Sequence, residues 1–409
     1  MSLEVASNAR AVRQVRRIAV CGAGVAGLTL AVRLARLGFE VTVFEARDEA
    51  ALESDGVFLT LAPNGMNGLR CIDLHQEVEA NGIATTAIEI LDERGRRLAL
   101  VDQSDHETVF GAHSITIRRG RLAKLLLMRA RAEGVTVRLG RRVVAVSETS
   151  SGLAIETGDG SGLRFDLLAA CDGLRSRVRE LVFPEFPKPR FTGLVGTGGF
   201  VDAPQVPATG GTMRMTFGRE AFFGYIKADA QPVFWFNSYP ADNAVCVSTP
   251  QDYASHLRHL HRGDPQANRD VLASVVEIER DYPIYDMPEL PVWHRGNVVL
   301  LGDAAHAVGP HAGQGASMAI EDAVVLAACL DATDDPAAAL TRYERLRRDR
   351  IRDVVRLTAR NAAQKRSSGW LSLMIRNLIL PVVIPLGIKG ARRSYAFRVD
   401  RDPLSAPAT

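Results

Sequence analysis

Cysteine is scarce and scattered in this 409-residue chain. Cys21, Cys71, Cys171, Cys246 and Cys329 are odd in number, far apart and contain no C-x-x-C. That argues against a disulfide framework or a thiolate zinc site and fits a reducing, cytoplasmic setting. Charge of one sign is also missing. The 50 Lys and Arg against 47 Asp and Glu leave a net charge of +3, and the basic residues are spread along the chain. There is then no electrostatic case for nucleic acid. The N-terminal MSLEVASNARAVRQVRR lacks an apolar h-region and reads as a tail, not a secretory signal. The most apolar stretch, 370–388, is interrupted by Arg376, Asn377, Pro381 and Pro385, which argues against a spanning helix. A terminal helix packed on the body is the favoured reading, and an interfacial membrane anchor stays open. HLRHLH, residues 256–261, is the only histidine cluster; it reads as an exposed helix end, and no metal site is expected.

What is present is a set of α/β units at both ends with a different block between them. Residues 17–21 read as a buried strand, 25–37 as a helix and 40–45 as a second strand. That order implies a right-handed crossover and a parallel pair. A strand near 56–61 follows, then a helix after Pro63-Asn64 and a hairpin over 86–91 and 97–101. A helix over 120–132 leads into strands through 135–170. Residues 191–249 are β-rich, aromatic and broken by Gly and Pro. Helical patterns over 250–278, a strand over 297–301 and long helices over 313–365 complete the pattern. The fold class that follows is α/β. A discontinuous Rossmann-like domain over 16–85, 102–190 and 283–365 is interrupted by a β-sheet-rich substrate domain over 86–101 and 191–282, with C-terminal helices over 366–409.

CGAGVAG, residues 21–27, supplies G-x-G-x-x-G at Gly22, Gly24 and Gly27, between a strand and a helix. Gly22 permits the tight turn, Gly24 lets backbone approach a pyrophosphate, and Gly27 lets helix and strand pack closely. The helix opening through Val25 and Ala26 offers free N–H groups and a partial positive charge to phosphates. Glu45 ends the second strand, with Arg47 beside it. A carboxylate there accepts hydrogen bonds from a ribose diol and repels a 2′-phosphate, which favours the adenosine half of FAD or NAD over NADP.

In VVLLGDAAHAVGPHAGQGASMAIEDA, residues 298–323, an apolar run stops abruptly at Gly302-Asp303. A core strand gains nothing by ending in an acid. The segment resembles the C-terminal FAD motif of the flavoprotein aromatic hydroxylases, the single-component class A FAD-dependent monooxygenases that include para-hydroxybenzoate hydroxylase. The match covers Gly302-Asp303, Pro310, Gly313 to Gly315 and the helix beginning near Ala316. The resemblance implies that Asp303 hydrogen-bonds the ribityl chain, while Pro310 and the backbone of Gly313, Gln314 and Gly315 border the isoalloxazine ring. LLAACDGLRSRVRE, residues 167–180, resembles the family's D-G-x-x-S-x-x-R motif through Asp172, Gly173, Ser176 and Arg179. In that family it serves both FAD and reduced nicotinamide. Arg119, in ITIRRGRLAKLL, matches the arginine that reaches toward FAD, although Arg118 and Arg121 leave the register open. Gly56 matches a glycine on a strand near the flavin.

Only one G-x-G-x-x-G stands between a strand and a helix; the glycines over 196–199 read as strand and bend. With no second nucleotide fold, the resemblance implies that NAD(P)H docks transiently to reduce FAD. O2 then gives a flavin C4a-hydroperoxide that hydroxylates an aromatic or polycyclic small molecule. Water must be kept out, and the β-rich block is the natural cover. Alternation puts Phe223 and Tyr225 on one face, and Phe234 and Phe236 on one face. Phe223, Tyr225 and Trp235 are the candidates for a substrate pocket; the core of the sheet is an equally good home for them. His311, next to Pro310, is a candidate for contact with flavin or substrate, although a loop residue without chemistry is the stronger reading. No catalytic base can be named. A flavin halogenase is disfavoured, because no W-x-W-x-I-P segment exists. An FAD-dependent reductase or dehydrogenase of a lipid-like or polyketide substrate stays open, and so does a non-catalytic FAD-binding protein.

Overall fold

The computed structural model describes residues 15–404 other than 55, 151, 243–248, 279–280, 311–312, 366–389 and 391. The apolar segment 370–388 and His311 therefore lie outside the described residues.

Two large sheets organise the chain. The first has six strands, in the spatial order His294–Arg295, Val298–Leu300, Leu167–Ala170, Arg17–Cys21, Glu40–Phe44 and Thr136–Arg138. All pairs are parallel except the one at the His294 edge. Leu167, Leu168, Ala169 and Ala170 are wholly buried, as expected for a parallel strand covered on both faces. The helices Val25–Arg36 and Gly315–Asp331 pack on it, and each buries a run of small and aliphatic residues. Small side chains let the two helices lie close to the sheet and to each other.

The second sheet has seven strands, in the order Tyr282–Asp286, Arg190–Val201, Val233–Pro240, Phe222–Ile226, Thr212–Phe217, Ala87–Asp92 and Arg97–Asp102. It is antiparallel apart from the pairing of Thr212–Phe217 with Ala87–Asp92. One boundary of the sequence reading needs correction here. Tyr282–Asp286 pairs with Arg190–Val201 and belongs to this sheet, not to the α/β body that 283 was expected to reopen. A strand of five residues gives no sequence cue to which of two sheets accepts its hydrogen bonds. The glycines over 196–199 lie within the continuous strand Arg190–Val201.

The pleat gives this sheet two different faces. On one, Phe223, Tyr225 and Trp235 pack with Tyr253, Leu257, Val271 and Leu272 from the helices Pro250–Leu260 and Gln266–Ser274. On the other, Met213, Ile226 and Phe234 pack with Phe58, Phe200, Met215 and Phe236. Phe58 comes from Phe58–Leu61, a strand of a small sheet with Ser114–Arg118 and Ile83–Thr85. This second face is thus turned toward the α/β body. His261, expected at an exposed helix end, is fully buried under the first face, where its Nδ1 lies 2.8 Å from Asp264 Oδ2.

Candidate functional site

Four adjacent parallel strands end together. Leu300, Ala170, Cys21 and Phe44 form one row across the sheet. The next residues of three of these strands open the three sequence motifs, and Glu45 follows the fourth. The ends are tied by backbone hydrogen bonds: Leu301 N–H to Ala170 O at 2.9 Å, Cys171 N–H to Cys21 O at 2.7 Å, and Gly22 N–H to Phe44 O at 2.7 Å. Segments up to 280 residues apart, Gly22 and Gly302 among them, therefore line one crevice at the carboxyl edge of an open α/β sheet. That edge is where such sheets bind ligands.

The glycines there fall into two groups. Gly22 has φ +104°, and a Cβ on it would stand 2.4 Å from Cys171 O. A Cβ on Gly27 would stand 1.9 Å from Gly22 O. Both are demanded by protein packing. Gly24 has an ordinary φ of −80°, and a Cβ there would meet nothing within 4 Å. Gly315, at the start of the helix Gly315–Asp331, likewise faces open space without a left-handed φ. Neither conformation nor neighbouring protein requires glycine at these two positions. Both fit a cradle in which backbone must come close to a ligand.

Polar groups converge on the same crevice. Glu45 is buried; its Oε2 accepts the N–H of Ala23 at 2.8 Å, and its Oε1 accepts Arg47 N–H and Nε–H at 3.0 and 3.1 Å. Val25 and Ala26 open the first helix beside this turn. Gly302 sits between the helices, its missing Cβ 3.3 Å from the Cβ atoms of both Ala26 and Ala319. Asp303 follows it and is exposed to solvent. The depth of surrounding protein raises its carboxyl above the ordinary aspartate range, against the opposing pull of His306 and Arg119. Asp172 is raised in the same way by burial, although it accepts Ser176 Oγ–H at 2.5 Å and Val178 N–H at 3.1 Å. Gly173 faces open space at φ +82°. Pro310 O accepts the N–H of Gly313, and Gly313 turns at φ +61° into Gln314, Gly315 and Ala316.

The three neighbouring arginines go three ways. The Arg119 side chain crosses Gly56, where a Cβ would lie 2.7 Å from Arg119 Cδ, and it acts electrostatically on Asp303. Arg121 turns outward and donates to Asn81 Oδ1 at 2.6 and 2.9 Å. Arg118 stacks on the aromatic face of the large sheet, its Cζ 4.1 Å from the Phe200 ring centre.

The expected pocket residues need correction. Phe223, Tyr225 and Trp235 are at most 2% exposed and form the core beneath two helices. The opposite face presents Phe58, Phe200, Phe236 and Met215, all partly exposed, to the α/β body. Alternation separates the two faces but carries no sign saying which one is covered by helices.

A buried ionic cluster escaped the sequence reading altogether. Glu321 and Asp322 lie fully buried in the helix Gly315–Asp331. Arg350 forks onto Glu321 at 2.6 and 2.7 Å, and Arg347 Nε donates to Asp322 Oδ1 at 2.7 Å. Asn64 donates to both Glu321 and Gln314. Asp322 Oδ2 accepts the N–H of Gly302. Arg179, also buried, donates to the carbonyls of Ala304 and Leu174 at 2.7 and 2.6 Å and so joins two motifs. The one available signal was an acidic pair inside the apolar run MAIEDAVV.

Residues 16–358 match the family described as FAD binding domain. The chain belongs to this family. It is 32% identical over 341 residues to an aurachin C monooxygenase/isomerase of Stigmatella aurantiaca, covering 83% of this chain and 86% of that one. It is 33% identical over 355 residues to a 3-amino-4-hydroxybenzoate 2-monooxygenase of Streptomyces cremeus, covering 85% and 87%. Among solved structures, Klebsiella pneumoniae HpxO complexed with FAD and uric acid superposes with a TM-score of 0.83 at 25% identity, covering 93% of this chain and 96% of that one. The protein is a class A flavoprotein monooxygenase that uses FAD.

Proposed function

We propose that this monooxygenase hydroxylates an aromatic or fused-ring small molecule held between the partly open face of the seven-stranded sheet and the crevice at the strand ends. The row Leu300–Ala170–Cys21–Phe44 carries the reading, because it brings three separate motifs onto one edge. The chemistry that bound FAD would supply is the coupling of NAD(P)H oxidation to O2 activation. The chain supplies the rest. Gly22, Gly24, Val25, Ala26 and Gly27 present a helix N-terminus to the pyrophosphate. Glu45 and Arg47 take the adenosine end. Arg119, Asp172, Gly173, Gly302 and Asp303 take the middle of the cofactor, with Asp303 accepting from ribityl hydroxyls. Pro310, Gly313, Gln314, Gly315 and Ala316 place backbone and a helix N-terminus beside the ring, where negative charge is favoured on reduction. Phe58, Phe200 and Phe236 exclude water and offer ring faces to a flat substrate.

The purified protein is expected to be yellow and to consume NAD(P)H and O2 together when offered the right member of a panel of phenols, indoles and fused-ring aromatics. The product gains one oxygen atom. Turnover under argon would instead make the chain a reductase, and well-folded protein that takes up no added FAD would end the proposal.

A further inference from the structure

Among the described residues of 310–316, only Gln314 is buried. Pro310 and Gly313 are exposed, Gly315 and Ala316 are half-buried, and Gln314 is 3% exposed. Gly313 turns into it at φ +61°. Gln314 then opens the helix Gly315–Asp331, its carbonyl accepting the N–H of Met318 at 2.8 Å. The first turn of that helix is thus tied to the body through the Gln314 side chain.

The other end of the tie is Asn64, wholly buried near the start of the helix Pro63–Arg70. Its Nδ2 donates to Gln314 Oε1 at 3.2 Å and to Glu321 Oε1 at 2.6 Å, so one amide group holds both acceptors. The polarity of this chain is set from its far end. Arg350 and Arg347 can only donate, and both donate to Glu321. The carboxylate therefore faces the nitrogen of the Asn64 amide, and Gln314 must turn its own oxygen toward Asn64. The charged end is closed by the C-terminal segment. Arg350 Nη2 donates to Ser394 O at 2.7 Å, and the Phe397 ring centre lies 4.6 Å from Arg350 Cζ. Two contacts beside Asn64 press on the same turn: Ala62 N–H donates to Ser317 Oγ at 3.1 Å, and a Cβ on Gly65 would stand 2.6 Å from that oxygen.

A buried relay whose donors and acceptors are all assigned in this way favours a single arrangement. We propose that Asn64 is a positioning residue for the cofactor. Through Gln314 it holds the N–H groups of the first helical turn where negative charge gathers on the reduced ring. The oxidised ring carries no charge there, so the relay favours reduced FAD selectively. This rests on the reading above that residues 310–316 border the ring, and it adds the residue that sets their position.

The test measures the midpoint potential of bound FAD, which reports the ratio of affinities for reduced and oxidised cofactor. Asn64→Leu keeps the branched shape, leaves Glu321 on both arginines and releases Gln314. Relative to oxidised FAD, it is expected to bind reduced FAD at least about threefold less tightly than wild type does, read as a more negative potential. Gln314→Leu breaks the relay from the other side without touching Glu321 and should shift the potential in the same direction. The double variant should shift it no further than the larger single change, because each variant removes the same interaction. Apoprotein melting temperature reports packing separately, and Gln314→Leu decides alone should Asn64→Leu fail to fold. An unchanged potential in Gln314→Leu or in folded Asn64→Leu overturns the role of Asn64, as does a double variant in which the two shifts add. The monooxygenase reading then stands. Wild type that takes up no FAD removes both.

Discussion

His306 Nε2 lies 2.6 Å from Asp322 Oδ2, and the same carboxylate oxygen accepts the N–H of Gly302 at 3.1 Å. One buried acid in the helix Gly315–Asp331 therefore fixes the turn that presents Asp303. Its other oxygen holds Arg347, which also pairs with Glu321. The cluster of two acids and two arginines is nearly closed to solvent, so removing one charge strands another.

Asp322→Asn is expected to destabilise the protein by about 3 kcal/mol, because buried Arg347 keeps its charge, loses one of its two carboxylate partners and is left to share Glu321 with Arg350. Flavin content should fall as well, since the Gly302 turn loses its anchor. The pH dependence has a definite sign. Burial alone would raise the Asp322 carboxyl, but His306 and Arg347 outweigh it and push it down to about 2. A folded value below that of an unfolded aspartate, about 3.9, means the stabilisation is complete above about pH 4 and is lost as pH falls toward 2. The gap in melting temperature between wild type and Asp322→Asn should be constant over pH 5–7 and narrow below about pH 4. A gap that grows on acidification would remove this account.

Two glycine substitutions should separate packing from cofactor binding. A side chain at Gly27 collides with Gly22 O, so Gly27→Ala should lower the melting temperature of the apoprotein, with a cost of about 1–3 kcal/mol. Gly24→Val enters open space and should leave the apoprotein melting temperature nearly unchanged while sharply reducing FAD uptake. Flavin-to-protein absorbance ratios and apoprotein melting curves decide the matter. Normal FAD content in Gly24→Val would mean that no ligand lies against that turn.

Asp303→Asn trades stability against binding. The surrounding protein disfavours the ionised carboxyl, so its folded pKa stands above the unfolded one. Above the unfolded value that charge opposes folding, and neutralising it should slightly raise the apoprotein melting temperature at neutral pH. Affinity for FAD should drop, because an amide is a weaker acceptor for polyol hydroxyls. Titration of apoprotein with FAD and thermal melts of the same samples test both halves. A variant that binds FAD as tightly as wild type would detach Asp303 from the cofactor.

Arg179→Met should lower the melting temperature by a few degrees, with a free-energy cost of about 1–3 kcal/mol for carbonyls left unpaired at Ala304 and Leu174. The D-G and G-D turns would then drift relative to each other. Looser flavin binding, seen as faster FAD loss on dilution, is expected alongside. Unchanged retention of FAD would show that the bridge serves stability alone.

Much of the site was legible because its residues are local exceptions. Gly24 precedes a helix, Asp303 follows an apolar strand, and each carries its chemical reason within a few residues. Their convergence also follows from local order, since strands that run parallel must end on the same edge. The arginines were legible only as a group. In RRGR nothing local tells which guanidinium crosses Gly56, which reaches Asn81 and which stacks on Phe200. Those destinations depend on residues more than 60 positions away, in the case of Gly56 and Arg119, and on the angle at which the strand enters the helix.

The amino-acid order alone determined the cofactor motifs, the parallel arrangement that joins them and the two-sided pattern of the aromatic sheet. Only the tertiary structure decided which side of that sheet packs beneath the two helices and which meets Phe58, where Tyr282–Asp286 pairs, and which arginines neutralise Glu321 and Asp322. Alternation is symmetric between faces, a strand's hydrogen bonds carry no address, and a buried charge finds its partner through space. Each of these is settled by packing between distant segments, which no local pattern encodes.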